Sequence, residues 1–132
     1  METVSSIYFH GTNGDNILSI IEKGKIFPGK NQTIFLARYS WDSCLMHGAD
    51  KKRHASFVIK VRIIPGDDVF RGLFRETHGV RDAVEIQTDK PIPVEVLQMY
   101  VRRLEKDEPA TLDIFVGKTN IINFLGPALT HP

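Results

Sequence analysis

Residues Tyr8-Phe9-His10-Gly11-Thr12-Asn13 are followed, after Gly14, by Asp15-Asn16-Ile17-Leu18-Ser19-Ile20-Ile21-Glu22-Lys23-Gly24. The first stretch predicts a strand from Ser6 to Phe9 that ends in a histidine and a tight glycine turn. The second predicts a short amphipathic helix. Asn13 or Asp15 caps it, Ile17, Ile20 and Ile21 share one face, and Gly24 stops it. A histidine at the C-terminal edge of a strand, beside a glycine that admits a ligand to the backbone, is a binding-site arrangement.

Further along the chain, strand signals outnumber helical ones. Lys25-Ile26-Phe27-Pro28-Gly29 reads as an extended exit into a turn, and Thr33 to Ala37 as a short buried strand. Ser40 can cap a second helix through Trp41, Leu45 and Ala49. Ala55 to Ile64 reads as the longest strand. There Phe57, Ile59, Val61 and Ile63 alternate with Ser56, Val58, Lys60 and Arg62, a half-buried pattern of period two. Pro65-Gly66-Asp67-Asp68 ends it. Arg71 to Asp82 has two glycines, three arginines and no sustained period, and reads as a loop. Ala83 to Thr88 is another strand, and Pro91-Ile92-Pro93 opens a final one over Val94 to Val101. Thr111 to Phe115 and Asn120 to Leu125 read as short helices. Only the early connections are helical, which predicts an α+β fold with a mainly antiparallel sheet.

The 132 residues, 42% of them hydrophobic, suit one domain (1–132) with a buried core, and no linker, repeat or low-complexity segment divides them. A net charge of +1 gives no global pull toward nucleic acid or a membrane. The basic run Lys51-Lys52-Arg53-His54 reads as a solvated loop. The single Cys44 excludes an internal disulfide and a cysteine-based metal centre. His10, His47, His54, His78 and His131 lack ligand-like spacing, so no metal is expected. The start Met1-Glu2-Thr3-Val4-Ser5-Ser6 has no signal-peptide core, and no apolar run reaches the roughly 18 residues of a membrane span. The expected location is cytoplasmic, in its own cell or a target cell. Neither a GxGxxG nor a Walker lysine motif is present, so the usual phosphate-cradling loops are missing.

The order strand, His10-Gly11-Thr12, helix, Lys23-Gly24 resembles the opening of the ADP-ribosyltransferase superfamily. It is most similar to the branch that holds the poly-ADP-ribose polymerases, the rifamycin-modifying transferases and the DNA-targeting toxin transferases. The resemblance spans about residues 6–100. It implies a single small domain in which two small, mainly antiparallel sheets flank a cleft for NAD. It also implies that His10 hydrogen-bonds the adenosine ribose, with Gly11 and Thr12 beside it. The Gly11 backbone would pair with the nicotinamide amide.

Two further blocks extend the likeness. Ile34-Phe35-Leu36-Ala37, followed by His47-Gly48-Ala49, resembles the second block of the rifamycin-modifying branch. It implies that Phe35 packs on nicotinamide, with Tyr39, Ser43 and His47 near the same pocket. Ser43 and His47 stand one α-helical turn apart. Phe35 replaces the usual tyrosine, so a ring face is kept and a hydroxyl is lost. Asp82-Ala83-Val84-Glu85-Ile86-Gln87-Thr88 with Pro91-Ile92-Pro93 resembles the catalytic-acid block, which makes Glu85 the expected acid. Asp67 and Asp68, after the long strand, are the rival acids. A carboxylate is what the chemistry needs: breaking the nicotinamide–ribose bond builds positive charge on the sugar, as in glycoside hydrolysis.

Arginine-modifying members carry a different set of residues, and Ala83 stands where their substrate-orienting side chain would be, so an arginine acceptor is disfavoured. Arg75, His78 and Arg81, in the segment before the acid, could meet a phosphate or an acidic surface. The expectation is a mono-ADP-ribosyltransferase of the bacterial or phage toxin or effector kind, with NAD as co-substrate. A protein or nucleic-acid acceptor and a neutralising partner protein belong to that picture. An NAD glycohydrolase, a non-catalytic NAD or ADP-ribose-binding module, and an interaction domain with no nucleotide site are the alternatives. The RNA 2′-phosphotransferases share the first block, but their spread of basic residues is not found here.

Overall fold

The computed structural model describes residues 7–29, 32–39, 41–64, 74–76, 83–87, 89–103 and 111–130. Within it the opening stretch forms a strand and a helix as expected, but His10 and Gly11 lie inside the strand and not in a turn, and Ser6 is outside the described residues. Strand β1 is Ile7–Gly11 and helix α1 is Gly14–Lys23. Asn13 is the cap: its side-chain oxygen accepts the Asn16 N–H at 2.9 Å, a bond of the kind worth about 1 kcal/mol. Gly24 ends the helix in the left-handed region at φ 69°, where a side chain would be strained. Ile17 and Ile20 are buried.

The remaining elements are β2 (Lys25–Ile26), β3 (Thr33–Ala37), a 3-10 helix (Asp42–Gly48), β4 (Ala49–Asp50), β5 (Ala55–Ile63), β6 (Phe74–Glu76), β7 (Ala83–Gln87), β8 (Ile92–Arg103), β9 (Thr111–Val116) and α2 (Lys118–Thr130). The described strands pair into one nine-stranded sheet in the order β2-β8-β5-β1-β3-β7-β6, with β4 added to β5 and β9 to β8. Every pairing is antiparallel. The architecture is α+β. The two small sheets expected are instead one curled sheet. Strand β8 joins its parts, pairing with β2 at its start, β9 at its end and β5 along most of its length.

Phe57, Ile59, Val61 and Ile63 of β5 form the main core with Ile17 and Ile20 of α1 and Ile121 and Leu125 of α2. The other face of β5 is covered too. Val58 packs with Phe9, Cys44 and Tyr100, against Trp41 and Leu45. The half-buried alternation therefore holds only from Lys60 onward, because the 3-10 helix lies across the first half of the strand. It lies close: a Cβ on Gly48 would overlap the Phe57 carbonyl oxygen. At twelve residues, β8 is longer than the nine of β5.

Other differences are local. The segment Thr111 to Phe115 is strand β9, not a helix, while Asn120 to Leu125 lies inside α2. Strand β6 falls within the region read as a loop. Ser40, Asp67, Asp68, His78 and Arg81 lie outside the described residues. In the basic run, Lys51, Lys52 and His54 are exposed as expected, but Arg53 is not. Its side chain is 8% exposed and bonds Asp50 at 2.8 Å and Asp15 at 3.0 Å. Asp50 also accepts the Gly14 N–H at 2.9 Å, so this cluster ties the start of α1 to the turn before β5. No helix among the described residues is long and apolar enough to cross a membrane.

Candidate active site

The sheet opens between β1 and β3. Only Phe9 and Ala37 are paired there, and the two strands part beyond them. The cause is a side chain: His10 Nδ1 lies 2.9 Å from the Phe35 carbonyl oxygen and takes the place of a backbone donor. A carbonyl only accepts, so Nδ1 carries the proton, and Nε2 of the neutral ring is left as an acceptor. Burial holds the imidazole below its ordinary 6.5; the Phe35 bond opposes that shift, and the nearby His47 adds to it.

Backbone alternation sets which groups face the opening. The Thr12 N–H donates to the Phe57 carbonyl of β5 at 3.3 Å. Successive residues of a strand turn their peptide groups to opposite edges, so the N–H and C=O of Gly11 face β3, at the opening. The glycine itself is required by packing on the other side, since a Cβ there would overlap the Cys44 carbonyl oxygen. Thr12 is buried and its hydroxyl accepts from Asn16 at 2.9 Å.

The same parity rule applies to β3. The Phe35 carbonyl faces β1, so across β7 its partner Glu85 forms the closer, non-hydrogen-bonded type of pair, with Cα atoms about 4.5 Å apart. Glu85 holds the backbone position in register with Phe35, and Phe74 to Glu76 of β6 pair along the other edge of β7, with Arg75 in register with Glu85. Phe35 is 44% exposed, and its ring lies parallel to that of His47 within 2°, with centroids 6.1 Å apart.

The remaining expected residues are less closely gathered. Tyr39 is 76% exposed in the bend after β3. Ser43 and His47 sit on a 3-10 helix, not an α-helix. On the α1 side of the sheet a cleft of about 280 Å³ is lined by His10, Thr12, Asn16, Ser19, Ile20, Ile26, Phe27, Pro28 and Gly29. Asn16, Ser19 and Phe27 carried no signal in the sequence, because only the packing of α1 and the exit from β2 brings them to His10. Among the described residues no group of His, Cys, Asp and Glu could hold a metal ion. Comparison of the chain with family models, with curated proteins and with solved structures returns no match.

Proposed function

We propose that this protein is an NAD-dependent mono-ADP-ribosyltransferase. The observation that carries the reading is the opening in the sheet. Across three neighbouring strands and the 3-10 helix it gathers the Gly11 peptide edge, the free nitrogen of His10, the Phe35–His47 ring pair and the Glu85 position. The His10 cleft lies on one face of the sheet and Phe35 on the other, so an elongated dinucleotide would cross from one to the other at the open end beyond Gly11.

In this reading His10 Nε2 accepts a hydroxyl of the adenosine ribose in the cleft. The Gly11 N–H and C=O pair with the carboxamide of nicotinamide, which carries one acceptor and two donors. Phe35 and His47 hold the nicotinamide ring. Their rings are parallel, with centroids 6.1 Å apart, and His47 is exposed, so it is the ring that moves to admit the ligand. The Glu85 carboxylate holds the 2′-hydroxyl of the nicotinamide ribose. It stabilises the positive charge that develops there more than it stabilises the ground state. The bond from C1′ to the pyridinium nitrogen breaks with both electrons going to nitrogen, which releases neutral nicotinamide. The acceptor's lone pair then forms the new bond to C1′ and its proton is lost to solvent.

Incubation with NAD labelled in the adenylate half, in a cell lysate, tests the reading. Label on a macromolecule together with released nicotinamide is expected. Nicotinamide with only free ADP-ribose would point to the glycohydrolase. Neither product would overturn the enzyme reading.

The state of His10 makes a second expectation. Because its value is lowered, the ring is neutral through pH 7 and the affinity for NAD should be flat there. Affinity should fall only as pH drops below 6.5, when Nε2 gains a proton and can no longer accept. Titration calorimetry across that range checks this, and a loss beginning above pH 7 would contradict it.

A further inference from the structure

The edge strand β9 has the form of a self-pairing surface, and we infer that two copies of this chain associate through it in antiparallel fashion about a two-fold axis at Ile114. Strand β9 pairs with β8 on one side, and no described strand pairs with its other side. The Gly117 N–H donates to the Leu97 carbonyl at 2.9 Å, which turns that residue's peptide groups toward β8. By alternation the peptide groups of Leu112, Ile114 and Val116 face outward. The same three residues carry large exposed apolar side chains. They share one face with Tyr100, which lies opposite Ile114 and against whose ring Trp41 stacks at 5.4 Å.

An open edge of this kind is normally protected by lysine, proline or a bulge. The sequence Thr111-Leu112-Asp113-Ile114-Phe115-Val116 has no lysine and no proline. Its one charge, Asp113, is 3.5 Å from Arg103 of the neighbouring strand. The pattern is also complementary to itself. Antiparallel pairing centred on Ile114 sets Ile114 against its own copy and Leu112 against Val116 of the second copy. The Ile114 pair exchanges two backbone hydrogen bonds; the Val116 carbonyl already accepts from Asn120 Nδ2 at 2.8 Å, so each flanking pair adds one, from the Val116 N–H to the Leu112 carbonyl, and every pair joins apolar to apolar on the same face. A two-fold interface requires this isologous match. Pairing there extends the sheet at the end away from β1, β3 and β7, so it leaves the candidate active site of both copies open. The inference does not depend on the proposed function.

Sedimentation equilibrium should show a dimer whose dissociation depends on concentration. Ile114→Lys should weaken association at least about tenfold, because it sets two like charges against each other at the axis. Ile114→Cys gives a sharper test that needs no loss of stability. Hydrogen-bonded partners lie about 5.5 Å apart at Cα, within disulfide range. This variant should cross-link to itself on mild oxidation, whereas Leu112→Cys alone should not. Mixing Leu112→Cys and Val116→Cys chains should yield the mixed cross-link. The native Cys44 is buried and leaves the readout clean. A native chain that stays monomeric at the highest concentration tested would overturn the inference. So would a dimer in which Leu112→Cys links to itself as readily as Ile114→Cys, or one indifferent to Ile114→Lys.

Discussion

Glu85→Gln is expected to slow nicotinamide release from NAD by about 10²- to 10³-fold, while the melting temperature stays near that of the native chain. The size follows from the usual cost of losing one preorganised group that meets charge developing in the transition state. Gln keeps the length and the hydrogen-bonding reach of Glu but not its charge. The ribosyl cation has full need of that charge only near the transition state, so the loss should fall on kcat, with KM for NAD little changed. Glu85→Asp keeps the charge and withdraws it by one methylene, so its rate should lie between the two. Initial rates of nicotinamide release, followed by chromatography over a range of NAD concentrations, separate these effects. A Gln variant at full rate would move the acid elsewhere, with Asp67 and Asp68 as the next candidates. Their position after β5 is the one feature of this chain that competes with the Glu85 register opposite Phe35.

The sequence carried the local parts of this arrangement well. Helix α1 was legible because its signals are local: a cap at Asn13, a stop at Gly24 and isoleucines at helical spacing between them. Strands β3 and β7 were legible for the same reason, as short β-branched runs between turn residues. What escaped depends on partners far away in sequence. Strand β9 reads as a helix in the sequence because Leu112, Ile114, Phe115 and Val116 are all apolar, and so short an apolar run does not tell strand from helix. Its pairing with β8 decides the matter. Strand β6 has almost no signal of its own and exists where β7 offers it an edge. Arg53 looked solvated in a run of cations, but its partners are Asp50 and Asp15, the second 38 residues away. The blocks of the candidate site were visible as residues on strands. That Glu85 stands in register with Phe35, and that the His10 ring bonds the Phe35 carbonyl between the strands, depends on pairing that no single segment encodes.

Asp50→Ala is expected to lower the free energy of unfolding by about 3–5 kcal/mol, the usual cost of removing one partner from a buried ion pair. That is a large share of the 5–15 kcal/mol that holds an average domain together. The Asp50 side chain is only 4% exposed and that of Arg53 8%, and the buried Arg53 Nε has no hydrogen-bond partner among the described residues. Asp15, the remaining anion, is 42% exposed, so water screens much of what it could offer. The double variant Asp50→Ala with Arg53→Met removes both charges and should lose clearly less than the two single losses added together, as a cycle of urea midpoints would show. The same cluster predicts acid sensitivity. Burial pushes the Asp50 carboxyl up, but bonds from the Gly14 and Arg53 N–H groups and from the guanidinium outweigh it and hold the value below 3.8. Its contribution is therefore present above that unfolded-state value and is lost as pH falls through the folded one. In the Asp50→Ala variant this part of the acid transition should be missing. The consequence reaches the site, because Asp50 holds the Gly14 N–H only a few residues after His10 and Thr12. Under conditions where the variant stays folded, KM for NAD should rise while kcat changes little. An unchanged KM in a destabilised variant would mean that the clamp on α1 supports the fold alone and that the cleft keeps its shape without it.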